Sequence, residues 1–408
     1  MRHVLTRLWS RRSTLALGTL AGFFASGGLR VIAAQGDSFA PVRAEGIQRI
    51  DAGGPTGLLG LDASGALWAL SVSGGAPLRM AGSLDGQTPV AAADGRIAAR
   101  TRDGALWVLD HGNATTSAPG VLAPHAGLLN LPLAVIGVLQ DGPAHRLVRM
   151  ESGARGWQEA TRSEAAVLPD ARPLRVDLED RGDGGHLAVF GGPDDSRYRH
   201  GVLGDGIEAT RLLWLERHGL GVLREYVLPA PYVFEDIAPR PVRFDNRTGL
   251  LTVRSGPGGA QLALLASDRN DPARIELRAL GEDLGRPRRW MAPTTDGQHL
   301  MAVHTPHIGG DLFAYTLESD RLTRRRVGGD VSTHRIGTRE LDMAAWVASM
   351  LVLPSQNGMR LRVLSAADGW QERASIALPA QVVMTVRLPD EGAMAVLMVG
   401  GAVGVVHV

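Results

Sequence analysis

Short apolar segments with period-two alternation run the length of the chain and break at Gly, Asp, Asn or Pro, the signature of β-strands joined by tight turns. The clearest unit, SGALWALS (64–71), returns as DGALWVLD (103–110). Each is the second half of a hairpin whose turn is Asp/Ser-Gly. Six further hairpins follow with weaker identity, over 133–150, 186–216, 250–265, 299–317, 350–364 and 394–408. Nothing among them has helical periodicity, and spacings of about 40–50 residues suit one propeller blade per hairpin. The expected fold is all-β: a β-propeller of eight four-stranded blades, with seven as the alternative. The last hairpin reaches the C-terminus with no strand after it. PVRAEG (41–46) resembles PLRMAG (77–82), the expected outer strand of the first blade, so an N-terminal strand is expected to close the ring. Closure of this kind removes exposed sheet edges.

Polar residues interrupt this pattern in six loops between Arg197 and Glu340: RYRHGVLGD (197–205), VFEDIAPR (233–240), RSGPGG (254–259), GRPRRW (285–290), TPHIGG (305–310) and THRIGTRE (333–340). Turns need Gly, Asn, Asp or Pro, not His, Arg and paired carboxylates. Three loops fall inside hairpins and three between blades. Alternating strand direction therefore puts all six on one face, over blades four to seven. The equivalent turns of the first three blades are plain.

Composition narrows the chemistry. The 408 residues carry 43 basic and 42 acidic side chains, which argues against nucleic acid as the main partner. Every Lys/Arg position is Arg, and Cys is absent. That excludes Schiff bases, a P-loop lysine, thiolate nucleophiles, Fe–S clusters and disulfides. Arg2, Arg7, Arg11 and Arg12 precede an apolar stretch (15–29) shorter than the ~20 residues of a membrane span. VIAAQG (31–36) then suits cleavage after Ala33 or Ala34. Residues 1–34 read as a cleaved export signal, twin-arginine or general secretory, leaving 35–408 as a single periplasmic propeller with no membrane span and monomeric by default.

The loop run and its surroundings, residues 180–365, resemble bacterial exported proteins with FG-GAP (VCBS-type) repeats, propellers related to the integrin α head. The resemblance implies a fold rather than an activity. Such repeats carry Asp-x-Asp-Gly-Asp-Gly calcium loops. Here the matching stretches are RFDNRTGL (243–250), APTTDGQH (292–299) and DMAAWVAS (342–349), which lack the six to eight oxygen ligands calcium takes. LEDRGDGGH (178–186) comes closest, with Glu179, Asp180 and Asp183. The blade repeats also resemble quinoproteins, without their paired cysteines.

Two readings of the site follow. In the first, an interaction module holds a protein, a glycan or a small anionic ligand. Its ligand-binding set is Arg197, His200, Asp205, Glu235, Asp236, Arg240, Arg254, Arg289, Trp290, His307, His334, Arg339 and Glu340, with arginine forks for carboxylates and Trp290 for stacking. The alternative is a periplasmic metal-dependent lyase or hydrolase at the same loops. His200, His304, His307 and His334 are its candidate ligands for zinc, iron or manganese, beside Asp205, Glu208 or Glu340. His200 or His307 would act as general base, oriented by Asp205. No motif assigns a cofactor, and no Gly-x-Ser-x-Gly elbow is present.

Overall fold

The computed structural model describes residues 38–271, 273–341, 343–388 and 392–408; the export signal expected over 1–34 lies outside them. Gly36–Val408 forms one compact unit. Among the described residues the only helical turn is Gly201–Leu203, and everything else regular is strand.

Four consecutive strands repeatedly pair in order and antiparallel. The first set runs Ile47–Ala52, Gly57–Asp62, Leu67–Ser71 and Leu78–Ala81. The same order holds over 91–116, 129–166 and 345–377. Three sets, 174–227, 240–281 and 291–328, join into one larger network. Two connections join them: the short strand Val233–Phe234, and a parallel pairing of Leu280 with Arg321. Ser38–Pro41 pairs antiparallel with Val403–His407 beside Ala393–Met398 and Val382–Leu388. The N-terminal strand overlaps PVRAEG only at its start: Ser38–Pro41 meets the last strand in register and Val42 N donates to Val403 O at 2.9 Å.

Local chemistry explains the repeated turns. In DASGALW, Asp62 accepts the Ser64 and Ala66 N–H groups at 2.8 and 3.0 Å, while its other oxygen accepts Trp68 Nε1 at 2.8 Å. Gly65 sits at φ +79°, where a Cβ would strike the Leu84 backbone. Inner strands such as Leu300–His304 and Ala393–Met398 are buried on both faces, with Phe190 packing on Phe234 at 5.1 Å and Trp214 fully enclosed. Burial of this kind supplies the main stabilisation, at about 25 cal/mol per Å² of apolar surface.

First strands of several sheets line a common cavity of about 680 Å³, with Arg49 and Asp51, Arg240, Thr294, Trp346 and Arg387 on its wall.

Candidate functional site

The link 228–239 would be an ordinary connection but for Val233–Phe234. Val233 pairs with Ser255 and Phe234 with both Ala209 and Arg254, so the link is clamped between two sheets. Glu235 follows directly and is fully buried. Its N–H donates to Val253 O at 3.1 Å, and its carbonyl accepts Trp290 Nε1 at 3.0 Å. His200 Nδ1 donates to Oε1 at 2.5 Å, and Ser255 Oγ donates to Oε2. This leaves His200 Nε2 unused, on a side chain 19% exposed. Burial raises the Glu235 carboxyl, opposed by the His200 and Ser255 bonds.

Because Ala209 pairs with Phe234, Glu208 sits beside Glu235 one step along the strands. It is 3% exposed, and its carboxyl makes no hydrogen bond among the described residues. Burial, and then the carboxylates of Glu235, Asp205, Asp170 and Asp236, push its pKa well above the ordinary range. Desolvation of the charged form, reinforced by repulsion between like charges, explains the direction.

Trp290 connects two more loops. Its ring is stacked parallel to His307 at 6.2 Å and lies 4.8 Å from His334. His334 Nε2 lies 2.9 Å from the Thr338 carbonyl, which only accepts, so that nitrogen carries the proton. His334 Nδ1 therefore accepts from His307 Nε2 at 2.9 Å, leaving His307 Nδ1 as a free acceptor. Burial lowers both imidazoles to about 4 and keeps them neutral.

Arginine forks fix the remaining links. Arg339 donates to Asp170 and Asp205, both at 2.6 Å, and its carbonyl accepts Arg172 Nη2. Arg240 donates to Asp236 at 2.8 Å, where Thr252 also donates at 3.0 Å. Arg49 donates to Glu340 and Asp51 at 2.8 and 2.9 Å. Gly337 N donates to Val202 O at 2.8 Å, and Arg288 N to Tyr198 Oη at 2.6 Å.

His200, Asp205, Glu235, Asp236, Arg240, Trp290, His307, His334, Arg339 and Glu340 thus belong to connected loops. Three predicted residues do not join them. His304 turns inward, bonded to Tyr315 Oη at 2.6 Å and stacked on Phe313 at 4.0 Å. Arg254 lies over Tyr232 and donates to Gln261. Arg197 donates to the Leu228 carbonyl at 3.1 Å and pairs with Asp194. Arg289 uses its carbonyl, which accepts Ala260 N, and its guanidinium makes no ion pair among the described residues. Trp290 is 3% exposed, so its ring faces protein. Asp170, Arg49 and Ser255 are partners that sequence reasoning missed; charge in an otherwise apolar strand or link is the one signal for Asp170 and Arg49, and Ser255 carries none. In 178–186, Glu179 pairs with Arg224 and Arg181, and Asp180 with Arg243. Among the described residues no three His, Asp or Glu side chains are grouped to hold a metal ion.

No family model matches the chain, and no curated protein matches it. Solved structures do match. BamB from Moraxella catarrhalis superposes with a TM-score of 0.57 at 14% identity, covering 91% of this chain and 96% of that one. The C-terminal WD40 domain of Sif2 gives 0.59 at 9% identity, over 91% and 98%. The fold is a β-propeller. The computationally designed Ika8 protein also matches, with a TM-score of 0.52 at 11% identity over 90% and 96%.

Within or directly beside these loops, Ile308 and Ile336 stand out at 65% and 68% exposure, and Ile207 at 36%. A smaller cavity of about 270 Å³ lies between Gln87, His125, Arg335 and Arg339. No helix of the described residues is long and apolar enough to cross a membrane.

Proposed function

We propose that the chain is an exported, periplasmic propeller of eight four-stranded blades that works as a protein-interaction module through the loops of blades four to seven. The repeated four-strand sets support the blade number, and the pairing of Ser38–Pro41 with Val403–His407 supports closure by the N-terminal strand. The likeness of the loop run to FG-GAP repeats supports the same face. Export rests on residues 1–34; a mature N-terminus near Gln35 in the periplasmic fraction is expected, and an unprocessed cytoplasmic chain would overturn it.

One observation carries the interaction reading. The histidines and most carboxylates of the loops are engaged with one another or with neighbouring arginines, while isoleucines stand exposed beside them. Buried ion pairs and histidine bonds make the rim rigid, and preorganisation lowers the entropic cost of binding. Exposed aliphatic side chains on such a rim mark a protein contact rather than a turnover site. Quantitative mass spectrometry of proteins crosslinked to tagged wild type and to the I308S/I336S variant tests this. Specific partners should be depleted in the variant at equal expression; identical profiles would sink the proposal.

A second reading, an enzyme at the same loops, has Glu208 in its favour: a buried carboxyl with raised pKa beside the His200–Glu235 pair is a pattern of proton-transfer sites. Elemental analysis of the purified protein tests the metal-dependent form of it. Stoichiometric zinc, iron or manganese, lost together with His200, would favour the enzyme.

A further inference from the structure

The loop face carries cations without partners. Arg286, Arg288, Arg289 and Arg335 make no ion pair among the described residues, and all but Arg289 are exposed. Carboxylates of the same loops are mostly taken: Asp205 by Arg339, Glu235 by His200, Asp236 by Arg240 and Glu340 by Arg49. Asp283 and Asp330 remain, and Asp283 already caps the Gly285 N–H at 3.0 Å. The internal pairing thus leaves a positive excess at the surface.

These arginines are interleaved with the exposed isoleucines. Trp290, directly after Arg288 and Arg289, touches both His307 and His334. Ile308 directly follows His307, and Arg335 and Ile336 directly follow His334. The loops that carry Arg288 and Arg289, Ile308, and Arg335 and Ile336 therefore meet at the Trp290–His307–His334 contact. The backbone holds them there: Arg288 N is bonded to Tyr198, and Gly337 N to Val202.

We infer that this rim docks an acidic segment of a partner protein that also bears aliphatic side chains. The inference rests on the interaction reading above and specifies the partner. Guanidinium groups bind carboxylates in a bidentate fork, and Ile308 and Ile336 supply apolar contact between them. A nucleic acid fits less well. Its phosphates would leave both isoleucines unused, and the nearby indole of Trp290 is buried, so no base can stack on it.

Fluorescence anisotropy of a labelled peptide of alternating Glu and Leu tests the inference, with a Glu-only peptide of equal length and single-stranded DNA as comparisons. The Glu/Leu peptide should bind, weaken with salt, and bind about tenfold more tightly than the Glu-only peptide. The R286E/R288E/R335E variant should lose about tenfold or more in affinity, and I308S/I336S a similar factor. R387E, in the cavity wall, should bind as wild type does. DNA binding at or above the peptide's affinity would overturn the inference, as would peptide binding indifferent to the arginine reversals. No peptide binding, with rim-dependent crosslinking retained in cells, would overturn the acidic partner alone. Loss of both would remove the interaction reading as well.

Discussion

His200 and Glu235, 35 residues apart in the chain, meet through Nδ1 and Oε1 at 2.5 Å, with the carboxylate fully buried. Removing the imidazole leaves the buried Glu235 carboxyl with the Ser255 hydroxyl as its one remaining side-chain partner among the described residues. Uncompensated buried charge is costly, so H200A should lose about 3–5 kcal/mol in urea unfolding. The double variant H200A/E235Q should recover part of that loss, because the orphaned charge is gone. Strict additivity of the two single changes would contradict the pairing.

Glu208 gives a prediction of opposite sign. Its folded pKa is raised by burial and by neighbouring carboxylates, so the native state holds the proton more tightly than the unfolded chain. The stability it contributes is complete below the ordinary carboxylate pKa and is lost as pH rises through the folded value. E208Q should therefore melt higher than wild type at neutral and alkaline pH, with the difference closing on acidification. Parallel Tm profiles from pH 5 to 8 would rule this out.

Histidines work in the other direction. His307 and His334 fall to about 4, and His304 to about 3, all chiefly through burial. The unfolded chain binds these protons first, so their contribution is present above the unfolded value of about 6.5 and fades as pH falls towards 4. H334Q should flatten the acid limb of the stability curve between those values. An unchanged limb in H334Q would show that His334 is protonated in the native state.

Gly310 ends the TPHIGG loop at φ +55°, and a Cβ there would lie 1.7 Å from the Val331 carbonyl oxygen. G310A is expected to cost more than about 1 kcal/mol by thermal unfolding. A neutral substitution would mean that the loop and the following link are not in contact.

Much of this fold can be read directly from the chain. Turn chemistry such as DASGALW is local: Asp62 holds Ser64, Ala66 and Trp68 within one turn, so the hairpin is written in contiguous residues. Strand alternation alone leads to the expectation that the six loops share a face. Individual side-chain fates do not. His304 and His307 are three residues apart, yet His304 ends a strand and faces Phe313 and Tyr315, whereas His307 stands in the loop beside Trp290. Parity at the end of a strand decides between them, and a one-residue shift reverses it. Partners such as Arg49 for Glu340, 291 residues away, exist only once the sheets are assembled. The N-terminal strand shows the limit of repeat matching, since register with Val403–His407 selected Ser38–Pro41.

Site-specific photocrosslinking in intact cells tests the interaction face most directly. A photoreactive residue is placed at Ile207, Ile308 or Ile336 on the loop face, and at Leu133, an exposed turn residue at the opposite strand ends. Crosslinks to a common protein partner from the three loop positions, and none from Leu133, are the predicted result. Equal crosslinking from Leu133, or none from the loop positions, would contradict a binding face built by these loops.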